Sequence, residues 1–257
     1  MMNSRKGIYL LPNLLTTGAL FAGFYAIISA QMGRFEPACI AIFIAMVLDG
    51  LDGRVARMTN TSSEFGKEYD SLSDMVSFGL APALIMFEWS LQHVVYDGWM
   101  LQRLGWLAAF FYTACAALRL ARFNSMNSDL DRRYFQGLPS PAAAGLLVGF
   151  IWTCHDLGYR GGDLWLIALL TTLLGGGLMV SRFSFYSFKD LTVKNKVPTI
   201  AVLAVVGLFI LAAMDPPKLM YAVFLLYALS APLFQILRLY RKRRSRSQGA
   251  KAPKNNK

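Results

Sequence analysis

Apolar residues dominate eight stretches of the chain, at 12–32, 37–57, 68–90, 101–121, 138–154, 163–180, 197–213 and 217–239. Each approaches the roughly 20 residues a helix needs to cross the hydrocarbon core of a bilayer. A span there must satisfy its backbone internally, and at this length a helix does so within the segment. The pattern therefore predicts an all-α fold, a polytopic transmembrane helical bundle of about eight spans. Residues 1–11, with "RKGIYLL", read as an interfacial segment, and 12–190 as a core of six transmembrane helices. Residues 191–240 add two more helices. The last stretch, 241–257, reads as a basic tail without regular structure. Because the first apolar run is span-length, it is expected to stay as a helix rather than be cleaved.

Composition agrees with this pattern: 55% of the 257 residues are apolar and 16% charged. Charge adds the orientation, because Lys and Arg are held on the cytoplasmic side. With both termini inside, 22 of the 26 cations fall in inner segments, leaving Arg34, Arg103, Arg160 and Lys218 outside. Such a split fits a multi-pass membrane protein with both ends cytoplasmic. The net charge of +11 does not point to nucleic acid, since nine cations lie between Arg238 and Lys257. There they fix topology and attract anionic lipid headgroups, each at about 1 kcal/mol. Cys39, Cys115 and Cys154 stand alone on separate runs, without the paired spacing of a zinc or redox site.

Against this background, "DGLDGRVARMTNTSSEFGKEYDSLSD" is the anomaly. An aspartate at mid-bilayer costs roughly 2.5 to 3.5 kcal/mol, and the segment holds Asp49, Asp52, Asp70 and Asp74. Asp49, Asp52, Gly53 and Ala56 share one helical stripe, as do Gly66, Asp70, Asp74 and Ser77 on the next helix. Two polar stripes then face each other across the turn "TNTSSEF", near the cytoplasmic interface. Arg54, Arg57 and Lys67 are the nearby cations. Hard divalent ions, Mg²⁺ or Mn²⁺, are the natural remedy for converging carboxylates. Two such ions would clamp a phosphoryl group during in-line displacement. His93 and His155 fall in outer loops, so an aspartate must serve as base. An ion or proton pathway is a second reading of the same carboxylates. A calcium loop is not, because the alternating ligands and closing glutamate are missing.

The same segment matches, at each fixed position, the signature D-x2-D-G-x2-A-R-x8-G-x3-D-x3-D of the CDP-alcohol phosphotransferase family, which the chain thus resembles. The resemblance implies that Asp49, Asp52 and Asp70 bind one metal, Asp70 and Asp74 a second, and that Asp74 is the general base. It also implies that Gly53, Ala56, Arg57 and Gly66 line the cytidine diphosphate site. Further stretches, "PNLLTTG", "RLARFN", "F-x-GLPSPAAA" and "SRFSFYSFKD", resemble the membrane-embedded phosphatidylserine synthase branch. That branch implies CDP-diacylglycerol and L-serine as substrates. Glycerol 3-phosphate, inositol phosphate or choline is the alternative acceptor.

Residue chemistry agrees in part. Serine offers a carboxylate, and Arg119 or Arg122 could hold it in bidentate fashion or simply anchor the helix at the interface. Asn124 and Ser140 are further candidates for the serine site. Asn13 and Thr16 lie level with the aspartates, and the resemblance implies a place for them near the diphosphate, Asn13 being alternatively a helix cap. Pro139 and Pro141 mark a helix start. Gly145 and Gly149 form a GxxxG pair that suggests a helix contact and a homodimer face.

Overall fold

The computed structural model describes residues 10–59, 61, 63–93, 99–125, 134–186 and 213–249. Helix α1 (Leu10–Gln31) runs antiparallel to α2 (Phe35–Met58) through a tight turn at Gly33, whose φ of +72° only glycine adopts without strain. Helix α3 (Glu64–Asp74) passes through a π-helical turn (Met75–Leu80) into α4 (Ala81–Trp89). Then come α5 (Trp99–Ser125), strand β1 (Tyr134–Gln136), α6 (Ser140–Asp156), α7 (Trp165–Val180), strand β2 (Ser184–Tyr186) and α8 (Pro216–Gly249). The two strands pair antiparallel, Phe135 opposite Phe185.

Small side chains set the packing. Ala19, Ala22, Ala26 and Ala30 form a buried stripe on α1, Ala38, Ala41 and Ala45 are buried on α2, and the two helices pack closely against each other. Helices lacking a hydrophobic drive between them associate through such close approach. Helix α6 is the hub: Ala142 through Ile151 are all buried, as expected of a helix apolar on every side. Phe21, Phe24, Val47, Phe110, Leu118, Leu174 and Leu226 are exposed on the outside, where a bilayer would solvate them.

Five of the described helices are long and apolar enough to cross a membrane: Leu11–Gln31, Glu64–Trp89, Arg103–Ser125, Gly161–Val180 and Pro216–Gln235. Of the other expected spans, α2 has the length but carries Asp49, Asp52, Arg54 and Arg57 in its second half. Helix α6 has 17 residues. The run 197–213 lies almost wholly outside the described residues, as do Arg132, Arg133, Lys189, Lys194, Lys196 and most of the 1–11 segment.

Three expectations need correction. Residues 241–249, expected to lack regular structure, continue α8 to Gly249, since Arg, Lys and Gln are good helix formers and no breaker intervenes. The GxxxG pair does not offer a free dimer face. A Cβ on Gly145 would lie 2.7 Å from the Phe224 ring, and one on Gly149 3.0 Å from the Tyr221 Cα, so both glycines are occupied by α8 of the same chain. Asn13 does not cap α1, which has already begun at Leu10.

Candidate active site

Ser63 starts the acidic helix. Its backbone is extended and its hydroxyl accepts from the Gly66 N–H at 3.0 Å, satisfying one of the orphan donors of α3. From that start Asp70 and Asp74 fall one turn apart on one face. Asp49 reaches them from α2, and carboxylate oxygens of Asp49, Asp70 and Asp74 all lie within 4.8 Å of one another. Asp52, one turn beyond Asp49, is only 5% exposed and accepts a 2.6 Å hydrogen bond from the Thr16 hydroxyl. The four expected carboxylates thus divide into a cluster of three and a neighbour tied to α1.

Beside this cluster opens a cleft of about 160 Å³. Asn13, Thr16, Gly53, Ala56, Arg57 and Gly66 all line it, together with Asp52 and Asp70. A Cβ on Gly53 would meet nothing within 4 Å, so that position is open space. Thr61, Ser63 and Lys67 line the cleft too. Of these, Lys67 was visible in the sequence as a nearby cation. The two turn residues were not, because only the closing of the turn brings them over the cleft.

The candidates for the second substrate separate. Arg119 donates from Nη1 to the buried Ser140 hydroxyl at 2.8 Å and lies close enough to act electrostatically on Asp74. Arg122 is exposed and donates to the Gln136 side-chain carbonyl in β1. Asn124 donates to the Ser71 hydroxyl at 3.0 Å, next in sequence to Asp70. The strand pair is anchored to the bundle: Gly137 N–H donates to the Phe183 carbonyl and Leu138 N–H to the Leu178 carbonyl, both at 2.9 Å. Two distant stretches, "FQGLPSP" and "SRFSFY", thereby form one wall next to Arg119 and Arg122. Gln136 carried no signal that sequence reasoning could use.

A larger cavity of about 530 Å³, with Trp89, His93, His155 and Arg160 in its lining, lies elsewhere. Phe35, also in its lining, is separated from Asp49 by 14 residues of α2, a distance of about 20 Å along a helix. Both histidines therefore stand away from the carboxylates.

Residues 9–174 match the family model described as CDP-alcohol phosphatidyltransferase. The chain belongs to that family. Among similar proteins is a CDP-diacylglycerol–serine O-phosphatidyltransferase of Helicobacter pylori, 34% identical over 232 residues, which cover 90% of this chain and 94% of that protein. One of the same name from Bacillus subtilis is 34% identical over 185 residues, covering 72% of this chain and 94% of the relative. Another, from Methanocaldococcus jannaschii, is 38% identical over 149 residues, covering 58% and 63%.

The matched region contains all four aspartates, both arginines and Ser140. Three carboxylates at this separation, with few cations to offset their repulsion, are a donor set suited to a divalent cation, which takes oxygen ligands. That agrees with the general dependence of this family on a divalent metal.

Proposed function

We propose that the chain transfers the phosphatidyl group of CDP-diacylglycerol to L-serine, forming phosphatidylserine and releasing CMP. The observation that carries the reading is the convergence of Asp49, Asp70 and Asp74 from two helices beside the cleft lined by the signature residues. Relatives of this name that align over nearly their whole length support serine as the acceptor.

Asn13, Gly53, Ala56, Arg57, Gly66 and Lys67 hold the cytidine diphosphate in the cleft, the acyl chains remaining in the bilayer. Asp49, Asp52, Asp70 and Asp74 would hold two Mg²⁺ or Mn²⁺ ions. When bound, these neutralise the diphosphate and the charge that moves onto the leaving oxygen. Asp74 takes the proton of the serine hydroxyl. The serine oxygen then bonds to the phosphorus bearing diacylglycerol, the bond from that phosphorus to the bridging oxygen breaks, and CMP leaves. Arg119, steadied by Ser140, orients the serine carboxylate, with Arg122 and Asn124 at the rim. Orientation and charge complementarity supply most of the rate.

Counting α2 and α6 beside the five plain candidates gives seven crossings among the described residues, and the apolar length of 197–213, a run almost wholly outside them, brings the expected number to eight, with the site on the cytoplasmic side of a bacterial inner membrane. Residues 12–190 form the catalytic core. An acceptor panel decides the assignment: purified protein in liposomes with CDP-diacylglycerol is given labelled serine, glycerol 3-phosphate, inositol phosphate or choline. Phosphatidylserine with stoichiometric CMP is expected. Incorporation of another acceptor, and none of serine, ends the serine assignment.

A further inference from the structure

We infer that Thr16 is a positioning residue that ties the two acidic helices together, through its hydroxyl to Asp52 on α2 and through its carbonyl to Ser73 on α3. The inference rests on the reading above that Asp52 helps to hold the metal, and it assigns Thr16 a task other than contacting the diphosphate.

Thr16 is 3% exposed, so its polar atoms must find partners inside the protein. A hydroxyl has one proton to give. Here Asp52 Oδ2 lies 2.6 Å away, and the alternative acceptor, the Pro12 carbonyl, at 3.1 Å. A short bond from a hydroxyl to a carboxylate is of the strong, charge-assisted kind. The proton is therefore committed to Asp52 and is not free for a phosphate oxygen, although Thr16 borders the cleft. Fixing one carboxylate oxygen in this way leaves the other to serve as ligand, as partners behind a metal ligand commonly do.

The backbone of the same residue faces the other acidic helix. Ser73, 2% exposed and adjacent to Asp74, donates to the Thr16 carbonyl at 3.2 Å. One turn further, Ser77 donates to the Ala19 carbonyl at 3.0 Å. Near that second contact a Cβ on Gly23 would fall 2.6 Å from the Ser77 hydroxyl, so the helices touch and their register cannot slide. Thr17 and Tyr69 add a hydroxyl contact of 2.9 Å on the more exposed side. Helix α1 supplies no ligand to the carboxylate cluster, yet it is fastened to both helices that do.

The test is Mn²⁺ binding to the purified protein in nanodiscs without any substrate, read by electron paramagnetic resonance. Thr16→Val should weaken Mn²⁺ binding about 10- to 100-fold, and Thr16→Ser, which keeps the hydroxyl, should restore it to within about threefold of wild type. Asp52→Asn should lower affinity, and adding Thr16→Val to it should cost nothing more, because the hydroxyl acts through that carboxylate. Ser77→Ala removes a second bond to α1, one turn beyond Asp74 and to a backbone carbonyl rather than to a carboxylate, and should lower the melting temperature while leaving Mn²⁺ affinity unchanged. If Thr16→Val does not fold, Thr16→Ala carries the same expectation. Wild-type affinity in the Thr16 variants, with only the KM for CDP-diacylglycerol raised, overturns the positioning role and leaves the proposed reaction standing. No Mn²⁺ binding by the wild type overturns both, whereas transfer to an acceptor other than serine leaves the positioning role intact.

Discussion

Asp74 stands where α3 gives way to the π-helical turn, within reach of Asp49 and Asp70 and under the field of Arg119. Removing its basicity while keeping its shape, Asp74→Asn, should lower turnover by about 10² to 10⁴, measured as CMP release, with unchanged elution on size exclusion. Near-normal turnover would take the base from Asp74. Arg119 and Arg122 looked equivalent in the sequence, three residues apart at one helix end. What separates them is a partner 21 residues away, Ser140, whose burial fixes Arg119, whereas Arg122 spends its donors on an exposed glutamine. Arg119→Ala should therefore raise the KM for serine at least about tenfold, and that for CDP-diacylglycerol far less. Arg119→Lys should not restore it, because an ammonium lacks the planar fork. At Gly53 the open space beside the backbone predicts the opposite balance: Gly53→Ala folds normally and raises the KM for CDP-diacylglycerol.

Among the elements, α6 illustrates what periodicity carries and what it omits. Its boundaries were legible, since Pro139 and Pro141 announce its start, and the helix runs from Ser140. Gly145 and Gly149 also announced a close helix contact. They could not name the partner, because small residues specify proximity and not identity, and the contact proved to be α8. Gly145→Leu should thus destabilise the monomer by about 1 to 3 kcal/mol through overpacking, seen as a lower melting temperature with unchanged oligomeric state. The π-helical turn was illegible, being one extra residue per turn inside a continuous apolar run. The strands β1 and β2 have three residues each, too few for alternation to register, and their pairing joins segments some 50 positions apart.

For the molecule as a whole, the acidic signature stood out because hydrocarbon surroundings make each charge conspicuous. The eight apolar runs were equally plain, although charge in α2 and shortness in α6 keep those two from standing out as spans by length and composition. Orientation gives a prediction at this scale. A cysteine at Gln136 should react with an impermeant maleimide only from the cytoplasmic side, and one at Tyr159 only from the opposite side, in a cysteine-free background. Beneath both function and topology lies one arrangement, carboxylates of two helices converging as a donor set that could hold a divalent metal. Crystals of the protein grown with Mn²⁺ and a CDP-diacylglycerol analogue test it most directly, by anomalous scattering at the manganese edge. A peak about 2.1 Å from oxygens of Asp49, Asp70 and Asp74 is expected. An active protein whose crystals show no peak among those carboxylates would contradict it.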